Sequence, residues 1–153
     1  MSKNENVPTL NFGHKISKPI FDVIDQQDDF IVINKSPDSN FHDEDNLGSG
    51  LFNQVKQQLN VNELFPVHRL DKMTSGVIIF AKNQNSARQF QQLFNQHKIE
   101  KFYLAISDKK PKKKQGLIKG DMIKSRRGSW KLLRTQLNPA ITQFFSYAIG
   151  EGK

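Results

Sequence analysis

The stretch Pro66-Val67-His68-Arg69-Leu70-Asp71-Lys72-Met73-Thr74-Ser75-Gly76 runs directly into Val77-Ile78-Ile79-Phe80-Ala81-Lys82. The second half is apolar and rich in β-branched residues, the composition of a buried strand. The first half is polar and ends at Gly76, where the backbone can take positive φ or come close to another segment. One carboxylate, Asp71, is thereby set in a loop at the lip of a core strand, with Arg69 and Lys72 beside it. Loops held by a rigid scaffold are where catalytic groups tend to lie. An isolated Arg-Leu-Asp would read as a salt-bridged turn; the length of the motif and the strand behind it favour a functional loop.

Around this loop the chain reads as α+β. Phe21–Asp25 and Phe30–Lys35 are strand candidates, and Ser36–Asn46 is a polar, acidic loop containing Pro37. Leu51, Val55 and Leu59 have helical spacing, which predicts a helix over 49–59. Asn85 or Ser86 is expected to cap a second helix through Lys98, with Ala87, Phe90, Leu93 and Phe94 forming its core stripe. Lys101–Ser107 is the next expected strand, a basic hairpin region follows, and Ala140–Ile149 is a closing strand. Strands outnumber helices without regular βαβ alternation, so the sheet is expected to be mixed and largely antiparallel with flanking helices. The 153 residues suit one domain. Residues 1–20 are expected to be an arm and 21–153 the folded part.

Positive charge is concentrated in one region. The chain carries +8, yet residues 98–134 hold thirteen Lys/Arg against three acids, while 1–97 hold nine against eleven. The runs Lys109-Lys110-Pro111-Lys112-Lys113-Lys114 and Lys124-Ser125-Arg126-Arg127 are suited to a phosphate backbone, which gives affinity without sequence choice. A lone lysine run is more often a solvated loop; two runs flanking a sheet face favour a nucleic-acid footprint. Cysteine is absent, which excludes disulfides, thiol catalysis and Cys-zinc sites and fits a reducing cytosol. The four histidines are far apart, so no metal site is expected. No apolar run approaches membrane-spanning length, and no leader is expected at the start, so the protein is expected to be cytoplasmic.

His68-Arg69-Leu70-Asp71-x-x-Thr74-Ser75-Gly76, followed by a strand ending Ala81-Lys82, closely resembles the active-site motif of the RluA/RsuA-type RNA pseudouridine synthases, on the RluA-like branch. Phe30–Pro37 is similar to that family's early strand ending Asn-Lys-Pro. Lys101-Phe102-Tyr103-Leu104-Ala105 resembles its Lys-x-Tyr-x-Ala strand, and Asn138–Thr142 its Ala-x-Thr entry. The resemblance implies isomerisation of uridine to pseudouridine in structured ribosomal or transfer RNA, without metal or cofactor. The glycosidic bond breaks, the base turns and it is rejoined through C5. A carboxylate suffices, as nucleophile at the sugar or base at its 2′ position.

By the same resemblance Asp71 and Tyr103 are the catalytic candidates, Tyr103 lying against the uracil, and Arg69 fills the gap left by the flipped base. His68, Thr74, Lys101, Lys112, Lys113, Lys114, Arg126 and Arg127 are candidates for contacting RNA, His68 as a loop hydrogen-bonding residue. Two departures stand out. There is no room before Phe21 for an S4-type domain, and 135–153 lack the family's Gly-Arg-x-His-Gln-x-Arg-type segment. A catalytic domain lacking its C-terminal part, and without that segment's basic partner for Asp71, is therefore expected. Weak activity and self-association through an open sheet edge should follow. The alternative is a non-catalytic RNA-binding remnant of the same fold.

Overall fold

The computed structural model describes residues 19–43 and 47–150, so the expected arm lies almost wholly outside the described residues, as does part of the acidic loop. The chain divides into two compact units that part between Lys101 and Phe102.

In the first unit four strands form one sheet: β1 (Phe21–Gln26), β2 (Phe30–Lys35), β3 (Phe65–Pro66) and β4 (Gly76–Ala81), in the order β1-β2-β4-β3. Every pairing is antiparallel, with Lys35 opposite Gly76 and Phe30 opposite Ala81. Strand alternation then assigns the faces. Ile31, Ile33, Ile78 and Phe80 point to one side and are fully buried. Against them pack Leu51 and Val55 of α1 (Leu51–Gln58), together with Phe41 and Leu64. Phe41 stacks on Phe80 at 5.8 Å between ring centroids, and Phe52 joins at 6.1 Å. The continuous apolar run of β4 is thus fully buried on one face and only partly on the other, where Ala81 is buried but Val77 is 54% exposed.

That second face carries α2 (Gln84–Asn95), where Phe90 meets Phe30 edge-on at 5.7 Å. The expected core stripe is only partly covered. Ala87, Phe90 and Phe94 are half-buried and Leu93 is exposed, because no described layer of the first unit lies beyond the helix. The cap is Asn83 rather than Asn85 or Ser86. Its Oδ1 accepts from the Ser86 N–H and hydroxyl, both at 2.8 Å, which makes Ser86 the third residue of the helix. The helix stops at Asn95, short of Lys98. His97 takes φ +54°, and the N–H groups of His97 and Lys98 donate back to Phe94 and Leu93 carbonyls in a Schellman closure.

α1 begins without a side-chain cap of its own, and the preceding loop supplies one. The N–H groups of Leu51 and Phe52 donate to the Asn40 and Phe41 carbonyls. The Asp43 carboxylate accepts from Gly48 and Gly50 N–H groups, each at 2.7 Å, and from the Asn53 amide at 2.8 Å. These bonds hold its carboxyl below the usual carboxylate range.

The second unit contains two antiparallel ribbons. β5 (Gln115–Gly120) pairs with β8 (Ala140–Phe145), and β6 (Met122–Lys124) with β7 (Trp130–Leu132). Two sequence expectations change here. Lys101–Ser107 forms no strand: Phe102, Leu104 and Ile106 are almost fully exposed, and each described strand of this unit is already paired elsewhere. Alternating apolar residues confer propensity, but a strand needs a neighbour to bond to. The closing strand stops at Phe145, four residues early, since its partner starts at Gln115 after the lysine run and only Ser146 N–H reaches back, to the Lys114 carbonyl. No described helix is long and apolar enough to cross a membrane.

A Cβ on Gly50 would lie 2.4 Å from the His42 carbonyl carbon and 2.5 Å from the Asp43 nitrogen. Gly50→Ala therefore pushes the 40–43 loop off α1. Overpacking of this kind costs about 1–3 kcal/mol, so the thermal midpoint of the chain should fall by roughly 5–15 °C. A fall under about 2 °C would show that the loop yields without cost.

Candidate active site

Asp71 heads a tight turn in which the Thr74 N–H donates to the Asp71 carbonyl at 3.0 Å. Its side chain is exposed, as are those of Arg69 and Lys72; Thr74 is half-buried. Below the turn lies a residue absent from the sequence-derived candidates. Lys35 ends β2 on the same face as Ile31 and Ile33, and its side chain is fully buried. Its Nζ donates to the carbonyls of Lys72 (2.8 Å), Thr74 (2.9 Å) and Ser36 (3.1 Å). An ammonium has three N–H groups, and here each has one carbonyl. Burial pulls Lys35 below the ordinary lysine range, while the Asp38 and Asp71 carboxylates favour its charged form. The signal that could have found it was period two: a strand whose inward residues are Ile31 and Ile33 aims Lys35 inward too. A cation thus reaches the Asp71 neighbourhood from beneath and through the backbone. Lys72 itself makes only an exposed 3.9 Å contact with Asp38, too loose to order the turn.

The entry to the loop is held differently. β3 pairs with β4 for only two residues, Phe65 opposite Ala81 and Pro66 opposite Phe80. At the next rung the Ile79 N–H donates to His68 Nε2 at 3.0 Å, so an imidazole replaces the backbone acceptor where the chain leaves the sheet. The ring packs on Phe94 of α2 at 5.4 Å, and Lys101 Nζ lies 5.9 Å from the Phe94 centroid. Burial, with help from the Lys101 charge, lowers the His68 pKa, as an Nε2 that accepts from an amide requires.

The first unit thus brings His68, Arg69, Asp71 and Thr74 onto one loop, with Lys101 behind it across Phe94. Tyr103, Lys112, Lys113, Lys114 and Arg126 belong to the second unit; all are exposed. The Arg127 side chain lies outside the described residues. Among the described residues no group of three or more His, Asp or Glu is placed to hold a metal. An exposed carboxylate on a turn with fixed carbonyls can attack or deprotonate a substrate presented from solvent.

Two outcomes follow. Lys35→Met removes the clamp and also the cost of burying a charge, so global stability should change little. Hydrogen exchange at the Thr74 amide should instead quicken at least about tenfold, since the carbonyls above lose charged donors; unchanged exchange would deny the clamp. For His68 the folded pKa is depressed, so the folded state binds fewer protons than the unfolded chain. Stability is full above the unfolded value of about 6.5 and is lost as pH falls toward the lowered one. Calorimetry from pH 7.5 downward should show a steeper decline for the parent than for His68→Gln, whose amide oxygen still accepts but does not titrate. Parallel curves would rule out His68 as the titrating anchor.

Residues 29–152 match the model of the RNA pseudouridylate synthase family. An uncharacterised RNA pseudouridine synthase of Haemophilus influenzae is 55% identical over 125 residues, covering 82% of this chain and 55% of the relative. A tRNA pseudouridine synthase C of Haemophilus ducreyi is 41% identical over 88 residues, covering 56% of this chain and 36% of that protein. Human RNA pseudouridylate synthase domain containing 1 shares the fold with a TM-score of 0.60 at 20% identity, over 80% of this chain and 49% of its own. The chain therefore spans about half the length of such relatives or less. With its motif loop, sheet and matched residues together, the chain belongs to the RNA pseudouridylate synthase family.

Proposed function

We propose that the chain carries the catalytic centre of an RNA pseudouridine synthase acting in the cytoplasm on structured ribosomal or transfer RNA. The observation that supports this most is the Asp71 turn: a solvent-facing carboxylate whose backbone is immobilised by the buried Lys35 ammonium. Asp71 acts on the sugar of an extruded uridine, as nucleophile at C1′ or as base at the 2′ position. Arg69, exposed two residues earlier, enters the stack where the base has left. Thr74 and Lys101 contact the RNA, His68 fixes the loop, and Tyr103, as the family resemblance implies, supplies a flat face for the uracil. The lysines at 112–114, with Arg126 and Arg127, hold the phosphate backbone. Exposed apolar side chains of the second unit, Leu117, Ile141 and Phe145 among them, support self-association through its two-stranded ribbon.

Tritium release from 5-³H-uridine RNA tests the reading. Asp71→Asn is close to isosteric and should retain fold and RNA affinity while turnover falls at least roughly a hundredfold. Turnover within tenfold of the parent would remove Asp71 from the chemistry. A parent that binds RNA but releases no tritium would favour a binding remnant.

A further inference from the structure

The β6–β7 hairpin of the second unit displays Trp130, the only tryptophan of the chain, at 59% exposure. Lys124 faces it directly across the ribbon, and Met122 and Leu132 pair alongside. The hairpin is closed at both ends. At the tip the Ser125 N–H donates to the Ser129 carbonyl at 2.8 Å, and Ser129 N–H and Oγ both reach the Arg126 carbonyl. Gly128 allows the tip its φ of +75°. At the base the Asp121 N–H donates to Thr135, and the Leu133 N–H donates to the Asp121 carbonyl. Trp130 is thus an exposed aromatic on a short frame already ordered by its own hydrogen bonds.

The surrounding charge says what would cover it. Residues 109–134 hold eleven Lys/Arg and one acid, Asp121. That carboxylate is already engaged, accepting from the Leu137 and Asn138 N–H groups at 3.0 and 2.8 Å. Nothing acidic is left free on this stretch to oppose its cations. A neutral apolar partner would leave Lys124 and Arg126 unanswered, whereas a nucleotide offers a π-face for the indole and a phosphate for the cations.

We propose that Trp130 is a stacking platform for an unpaired RNA base, with Lys124 and Arg126 holding the adjoining phosphates. The inference rests on RNA being the substrate, but it does not depend on turnover, so the two can fail separately. Recognition here is sequence-tolerant, because every base has a π-face.

Tryptophan fluorescence of the whole chain, excited beyond the absorption of Tyr103 and Tyr147, reports on this residue alone. Oligouridylate should quench Trp130 strongly, and a blunt RNA duplex of equal phosphate content only weakly. In filter binding, Trp130→Leu should weaken oligouridylate roughly tenfold without changing the salt slope. Trp130→Phe should retain most of the affinity, which separates stacking from mere apolar packing or a folding defect. Replacing Lys112, Lys113 and Lys114 together should do the opposite, flattening the salt slope and weakening both RNAs alike. Equal quenching by both RNAs, equal affinity of the Leu and Phe variants, or a fluorescence shift that follows protein concentration without RNA would overturn the proposal. The last would identify a second copy as the occupant. Retained tritium release with no quenching would defeat the platform alone; quenching without tritium release would defeat only the catalytic reading.

Discussion

A single buried ammonium holds the site together. Lys35 is placed where a third apolar residue would complete the inward row of β2, and its charge survives there because three carbonyls replace water. An unpaired charge at that depth would neutralise or unfold its surroundings. Two of the carbonyls belong to the turn that carries Asp71, so the hydrogen bonds that offset the desolvation of the lysine also order the turn. Core packing and loop geometry are in this way a single energetic unit.

The antiparallel register explains why the clamp can work. Lys35 lies opposite Gly76, the first residue of β4, so the chain entering β4 must pass directly over the end of β2. Gly76 takes φ +131°, a conformation that side-chain-bearing residues rarely adopt, and the turn folds back within reach of the ammonium. On the other flank β3 ends after two residues, and His68 continues its work with a side chain. The loop is therefore tied at its entry by an imidazole and at its turn by a lysine, while Arg69 and Asp71 between them stay open to solvent.

Much of this frame was legible in the residues, and the illegible parts share a cause. The motif loop, β2, β4 and α1 announce themselves through local pattern, and local pattern decides them. Lys35 did not, because a lysine at a strand end is usually solvated; only its phase relative to Ile31 and Ile33 gives it away. The role of His68 depends on where β3 stops, which no residue of the motif encodes. Asn83 does not stand out from Asn85 and Ser86 by residue type, because several small polar residues there can all cap, and the choice rests on which one keeps extended backbone. Residues 101–107 carry the alternation of a strand yet form none among the described residues, since alternation records which side would be buried, not whether a neighbour is present.

The clamp also has a bearing on how such a protein can diversify. Lys35 contacts main-chain oxygens of residues 72 and 74, and the turn closes through main-chain groups of 71 and 74. No side chain at 72 or 73 takes part in these bonds, and Met73 stands 71% exposed. The hold on the turn is blind to what those two positions display. Descendants of this chain are free to try new side chains directly beside the carboxylate, while the scaffold under it is inherited unchanged.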